Sequence, residues 1–142
     1  MNHIAVVWPR FIEAMLRGEK TVECRLTRVR CAPFGRIAPG DTVYLKERGG
    51  PMRAAATASR VEVFERLTPD AVDDLRRRFS NGINDSDEFW SLKRATARWG
   101  ALIWVADLRH VSRGPAHPPF HGRGWMCLDG SRGAALQGPP RG

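Results

Sequence analysis

The chain has 142 residues, 42% of them hydrophobic, which is enough for one domain around one core. Its 23 lysines and arginines against 15 acidic residues leave a net charge of +8, which suits polyanionic partners. The longest strongly apolar run, Ala101 to Ala106, is too short to cross a bilayer, and no basic stretch followed by a long apolar one opens the chain, so a cytoplasmic location is expected.

His3 to Trp8 reads as a short apolar strand stopped by Pro9, after which Phe11, Ile12, Met15 and Leu16 fall on one helical face until Gly18 ends it. The next strand alternates with period two. Thr21, Glu23 and Arg25 face one way, forming a chemically equipped surface, while Val22, Cys24 and Leu26 face a core. Arg28 to Arg36 is a loop. Ala38-Pro39-Gly40-Asp41 then puts proline and glycine where a type II turn wants them, ahead of a strand over Thr42 to Glu47 that Gly49-Gly50-Pro51 breaks.

Met52 to Leu67 is a long strand on the strength of Val61, Val63 and Phe64, and the alanines near its start leave room for another backbone or a flat ligand. Thr68 is an N-cap ahead of Pro69, and Ala71, Val72, Leu75 and Phe79 form the apolar stripe of a helix ending at Asn81-Gly82. Asp85 and Glu88 form a capping box for a helix over Ser86 to Trp99, closed by Gly100. The unbroken apolar stretch of the strand Ala101 to Val111 predicts a central place in the sheet. After a loop over Arg113 to Arg123, Gly124 to Leu128 is a last strand, and 129–142 is a Gly, Ala, Pro and Arg-rich tail predicted to be disordered, which leaves 1–128 as the domain. About six strands and three helices in this order predict an α+β fold, a small and partly open β-barrel decorated by helices, rather than a doubly wound sheet.

Cys24, Cys31 and Cys127 stand in no Cys-x-x-Cys arrangement, so neither a disulfide framework nor a redox motif is expected. Cys24, Cys31, His117 and His121 hold zinc-type donors, but the cysteines are spaced too widely, and Pro118 and Pro119 keep the histidine pair off a helix; no metal and no cofactor is expected. Arginine supplies nearly all of the excess charge, and its planar fork matches phosphate oxygens and stacks on bases. An arginine-rich composition inherited from a GC-rich genome accounts for that excess equally well.

Gly18 to Arg25 is the densest chemistry in the chain. Lys20 is a phosphate ligand or, if burial beside Arg25 lowers its proton affinity, a base or nucleophile; Glu23 accepts hydrogen bonds from a base amine or else locks Lys20 and Arg25 by ion pairing. Trp8 and Trp125 are stacking candidates, Lys46 and Ser112 are candidate cleft residues, and Trp90, Trp99 and Trp104 are expected in the core. Arg76-Arg77-Arg78 lies on a helix, where successive side chains diverge, and reads as a solvated face.

The string Gly18-x-Lys20-x-x-Glu23-x-Arg25 after the first helix resembles the opening signature of ASCH domains, a branch of the PUA-like superfamily. Pro39-Gly40-Asp41 entering a strand, the strand holding Lys46, and the Ser112 and Gly124-Trp125 regions look like the rest of such a domain, so the resemblance covers about residues 3–128. It implies a barrel with a cleft beside the first helix that holds RNA or a modified nucleobase. Members of the family also include nucleases acting on single strands and metal-independent amidohydrolases that deacetylate acetylated cytidine. Lys20 matches the lysine of those amidohydrolases, whereas Glu23 stands where they carry a threonine, with Thr21 nearby to supply a hydroxyl.

Three functions follow as expectations. The first is a domain that binds single-stranded RNA or a modified nucleobase through Lys20, Glu23, Arg25, Trp8, Lys46, Ser112 and Trp125. The second is a hydrolase of an acylated nucleobase or of single-stranded RNA, with Lys20 as base or nucleophile, Glu23 as proton shuttle and Thr21 beside them. The third is an interaction domain whose basic surface recruits an acidic protein.

Overall fold

The computed structural model describes residues 1–128, so the tail expected over 129–142 lies outside the described residues. The chain opens with β1 (Asn2–Val7), and Pro9 then starts α1 (Pro9–Leu16) with its φ already set for a helix. Gly18, at φ 78°, adopts the left-handed conformation that lets the chain leave α1, while the N–H groups of Glu19 and Lys20 both donate to the Ala14 carbonyl. There follow β2 (Val22–Thr27), β3 (Thr42–Glu47), β4 (Met52–Glu65), α2 (Pro69–Ile83), α3 (Asp87–Thr96), β5 (Trp99–His110) and β6 (Trp125–Leu128).

The strands form one six-stranded sheet in the order β2-β5-β4-β3-β1-β6, in which β1 and β3 run parallel and the other neighbours antiparallel. Register shifts between Ala55 and Thr57 and between Ala58 and Arg60 increase the local twist of the long β4–β5 ladder. The sheet curls into a half-barrel, and the whole is an α+β fold of the PUA-like kind. Inside the curl, Val7, Ile12, Met15, Val43, Leu45 and Ile103 share a buried cluster with Ala54, Ala56 and Ala58. The room left by those alanines is thus filled by core side chains, α1 among them. A second cluster, in which Val22, Leu26 and Leu102 meet Val72, Leu75 and Trp90, seals α2 and α3 against the outer face.

Several details depart from the sequence reading. β2 is not open on one face: Val22, Glu23, Cys24 and Leu26 are all buried, because the helices cover one side and the barrel interior takes the other, while Thr21 is exposed ahead of the strand. α2 runs on to Ile83, and Asn84 caps it at φ 52°. The N-cap of α3 is Ser86, whose hydroxyl accepts from the Phe89 N–H, rather than Asp85. Trp99 and Gly100 belong to β5, held there by pairing with Thr27 and Leu26 on one side and with Glu65 and Phe64 on the other. Of the three expected core tryptophans only Trp90 is buried; Trp99 and Trp104 are half-buried, with Arg60 lying 4.2 Å over the Trp104 ring. Among the described residues no helix is long and apolar enough to cross a membrane.

Candidate functional site

Lys20 leaves α1 pointing into the protein and is 2% exposed. Its ammonium donates to the carbonyl of Ile83, the last residue of α2, where the free carbonyls of a helix end attract a cation. The same Nζ lies 3.8 Å from Glu23 Oε1 and 4.9 Å from the Phe11 ring centroid. Each of these neighbours suits a positive charge.

Glu23, 7% exposed, joins Lys20 to Arg25: its Oε2 accepts from Arg25 Nε at 2.7 Å. Its Oε1 accepts no hydrogen bond from the described residues, which leaves a nearly buried carboxylate oxygen with unused capacity. Arg25 then spans the mouth of the curl. Nη2 donates to the Val6 carbonyl at 3.0 Å and Nη1 to the Gly124 carbonyl at 3.1 Å, while the guanidinium lies 5.1 Å from the Trp125 ring centroid. A methyl group on Gly124 would sit 3.1 Å from Nη1, so glycine is what lets the guanidinium come this close.

These residues open onto a cavity of about 600 Å³, a volume suited to a small organic ligand. Lys20, Glu23, Cys24 and Arg25 line it from β2 and its approach, Trp8, Arg10 and Phe11 from the start of α1, Arg48 from the end of β3, and Asp85, Ser86, Phe89 and Lys93 from α3 and its cap. Trp8 is 48% exposed and lies between two cations, with Arg48 4.8 Å and Arg10 5.7 Å from its ring centroid. Burial pushes the Cys24 thiol up to about 12, with the Glu23 carboxylate adding to the effect.

Of the sequence candidates, the fold brings Lys20, Glu23, Arg25 and Trp8 to this one cavity. Thr21 is exposed and does not line it. Lys46 donates to the Glu47 carbonyl at 3.2 Å and lies 5.8 Å from the Phe120 ring centroid. Ser112 lines a separate groove with Met52, Arg53 and His110. Trp125 is only 5% exposed and its indole N–H donates to His3 Nδ1 at 3.1 Å, so it is a wall of the barrel with little ring left for a base.

The sequence reading missed Arg10, Phe11, Phe89 and Lys93, whereas Arg48, at the charged strand end that follows Lys46, was within its reach and does line the cavity. Arg48 reaches Trp8 because β3 runs parallel to β1, with the Arg48 N–H donating to the Val7 carbonyl at 2.9 Å, and such pairing leaves no local signature. Phe89 carried an apolar-face signal and lines the pocket beside its core neighbour Trp90.

The half-barrel, its three helices and a lateral pocket at the α1–β2 junction make a small α+β domain with a PUA-like fold. No family model matches the sequence, and no curated protein matches it. Among solved structures, an ASCH protein from Zymomonas mobilis superposes with a TM-score of 0.64 at 17% identity, over 92% of this chain and 89% of that one. A point mutant of the same protein gives 0.65 at 17% identity over 90% of both chains. A protein of Enterococcus faecalis gives 0.53 at 11% identity, over 79% of this chain and 77% of its own. The fold of this chain is that of an ASCH domain. At these identities the likeness is one of fold.

Proposed function

We propose that this chain is a nucleic-acid-binding domain that takes a base of single-stranded RNA, ordinary or modified, into the cavity between α1, β2 and α3. The observation that carries the reading is the make-up of that cavity: a nearly buried carboxylate with a free oxygen at its floor, an exposed tryptophan at its lip, and Arg10 and Arg48 beside the tryptophan. Glu23 Oε1 accepts an amine or ring N–H on the edge of the base, Trp8 stacks on a base face, and the two arginines neutralise backbone phosphates. Two features favour recognition over hydrolysis. The ammonium of Lys20 is already engaged by the Ile83 carbonyl and Glu23, and the hydroxyl of Thr21 lies outside the cavity lining. A nucleic-acid partner also fits the charge of +8 better than a docked acidic protein does, because Arg10, Arg48 and Lys93, unpaired among the described residues, line a pocket of base size together with Asp85 and Glu88.

Fluorescence anisotropy with a labelled ten-nucleotide single-stranded RNA tests the reading. Binding is expected at low salt and should weaken steeply as salt rises, by about 0.7 in the logarithmic slope for each phosphate contacted. Absence of binding at low salt would overturn it.

A further inference from the structure

The arginines of two faces of this protein differ in their pairing. On the helical face, Arg77 and Arg78 pair with Asp74 at 3.0 and 3.4 Å, Arg94 with Asp73 at 3.0 Å, and Arg76 with Asp87. That face is internally neutralised. Along the seam where Arg25 meets β1 and β6, by contrast, Arg10, Arg48, Arg36 and Arg123 have no carboxylate within ion-pair distance among the described residues, and all four are exposed.

Arg10 and Arg48 stand at the first cavity. Arg36 and Arg123 stand at a second cleft of about 400 Å³, floored by Ala32, Gly124, Trp125 and Cys127. Arg25 connects the two. Arg25 lines the first cavity, and its Nη1 is bonded to the carbonyl of Gly124, which lines the second. The nearby carboxylate of Asp41 does not cancel the charge at this cleft, because it is taken up by the N-terminal ammonium at 3.1 Å and by His3 at 2.8 Å.

We propose that this second cleft is a phosphate subsite. It receives the phosphodiester adjoining the base held in the first cavity, with Arg36 and Arg123 as its ligands, so that a single RNA strand crosses the Arg25 contact with its base on one side and its phosphate on the other. The inference rests on the reading of the first cavity as a base site. Two arginine forks lining one concave surface suit the two non-bridging oxygens of a phosphodiester, and the exposure of both side chains leaves them accessible to an arriving strand.

The test compares four forms of the whole chain, namely wild type, Arg36→Gln/Arg123→Gln, Trp8→Ala and the helical-face control Arg77→Gln/Arg78→Gln, on the labelled ten-nucleotide RNA across a salt series. The Arg36→Gln/Arg123→Gln form is expected to bind about tenfold more weakly and to lose about 0.7 from the logarithmic salt slope. Arg77→Gln/Arg78→Gln should match wild type, and on an RNA with neutral methylphosphonate linkages the Arg36→Gln/Arg123→Gln form should bind as well as wild type does. If Trp8→Ala weakens binding but Arg36→Gln/Arg123→Gln leaves affinity and slope unchanged, the subsite is wrong and the base site stands. If wild type binds no RNA, both fall. If titration with inorganic phosphate shows binding that Arg36→Gln/Arg123→Gln abolishes while RNA affinity stays the same, the cleft holds free anions and the proposal is also overturned.

Discussion

Arg25 on β2 donates to the carbonyl oxygen of Val6 on β1 at 3.0 Å, across the opening of a sheet in which these two strands are not neighbours. β6 covers β1 only from Asn2 to Ala5, so the carbonyls of Val6 and Gly124 lie just past the end of that ladder. A guanidinium satisfies both at once and keeps its Nε for Glu23. The string Gly18 to Arg25 therefore does structural work at both ends. Lys20 holds the end of α2, Arg25 holds the mouth of the barrel, and Glu23 links the two while facing the cavity between them.

Replacing Arg25 by Met should cost about 2 kcal/mol, since it removes the Arg25 bond to a nearly buried carboxylate and the donor to the Val6 carbonyl, whereas Glu23 keeps Lys20 at 3.8 Å and the Gly124 carbonyl keeps the Val6 N–H at 2.9 Å. Urea denaturation measures this. Combining Arg25→Met with Glu23→Gln should cost less than the sum of the two single changes, because either change alone already removes the Arg25–Glu23 ion pair. Strict additivity would mean that the pair does not act as a unit.

Trp8→Ala should weaken binding of single-stranded RNA by about tenfold, the loss of one base–aromatic stack, and lower the melting temperature by only about 3–6 °C because the ring is half in solvent. Anisotropy and thermal denaturation separate the two effects. A large drop in stability with unchanged binding would assign Trp8 to packing alone.

The order of elements was legible in the sequence because each was bounded by local chemistry: Pro9 and Gly18 around α1, Thr68 and Pro69 before α2, Gly124 before β6. The charged string was also visible as a candidate site. What local pattern could not show was its direction. Period two predicts that Glu23 and Arg25 share a face, yet whether that face meets water depends on Val6 and Gly124, far away in sequence, offering carbonyls to the guanidinium. Trp125 was misjudged for the same reason, since its burial follows from the pairing of β6 with β1 and from the His3 acceptor.

Cys24 and Cys31 should differ sharply towards iodoacetamide at pH 8. The Cys24 thiol is buried and raised to about 12, so almost none of it is thiolate, whereas Cys31 is exposed. Mass spectrometry of the native protein should find Cys31 alkylated and Cys24 unmodified until denaturant is added. Rapid alkylation of native Cys24 would show that the base of the cavity opens far more than its packing implies.

Stability should fall as the solution is acidified below neutrality. Burial lowers the proton affinity of His3 from its usual 6.5 despite the opposing hydrogen bond and charge of Asp41, with the N-terminal ammonium and Arg36 adding to the lowering. The Trp125 N–H can only donate, so His3 Nδ1 accepts it and the ring proton is on Nε2, donating to Asp41; protonating Nδ1 breaks the bond to Trp125. The unfolded chain then binds more protons in the interval from 6.5 down to the lowered value, and the contribution of His3, complete above 6.5, is lost across it. Burial also works against ionisation of Asp41, but its bonds from His3, the Ala38 N–H and the N-terminus outweigh it and hold the carboxyl below its usual 3.8, so a second loss follows at lower pH. Urea midpoints measured from pH 8 to 3 should show both steps, and His3→Gln should remove the first; a flat profile between pH 7 and 5 is the contrary result.

Gly82→Ala tests how the helix end positions Lys20. Alanine is ordinarily favoured over glycine inside a helix by about 1 kcal/mol. Here, however, the added Cβ would lie 2.8 Å from Thr21 Oγ1 and 2.9 Å from Val22 Cγ2, where α2 rests on the start of β2 and the Thr21 N–H donates to the Gly82 carbonyl at 2.9 Å. Relieving that overlap pushes α2 outward and carries with it the Ile83 carbonyl that holds Lys20. Overpacking of this kind costs about 1–3 kcal/mol, so the substitution should be net destabilising and should weaken RNA binding together with stability. Gly124→Ala offers the comparison at the other end of the string: its Cβ meets only the Arg25 guanidinium, at 3.1 Å, a group that can shift by a few tenths of an ångström, so its cost should be the smaller of the two. The reverse ranking in urea denaturation would mean that the barrel contact, rather than the helix end, is the tighter constraint on the cavity.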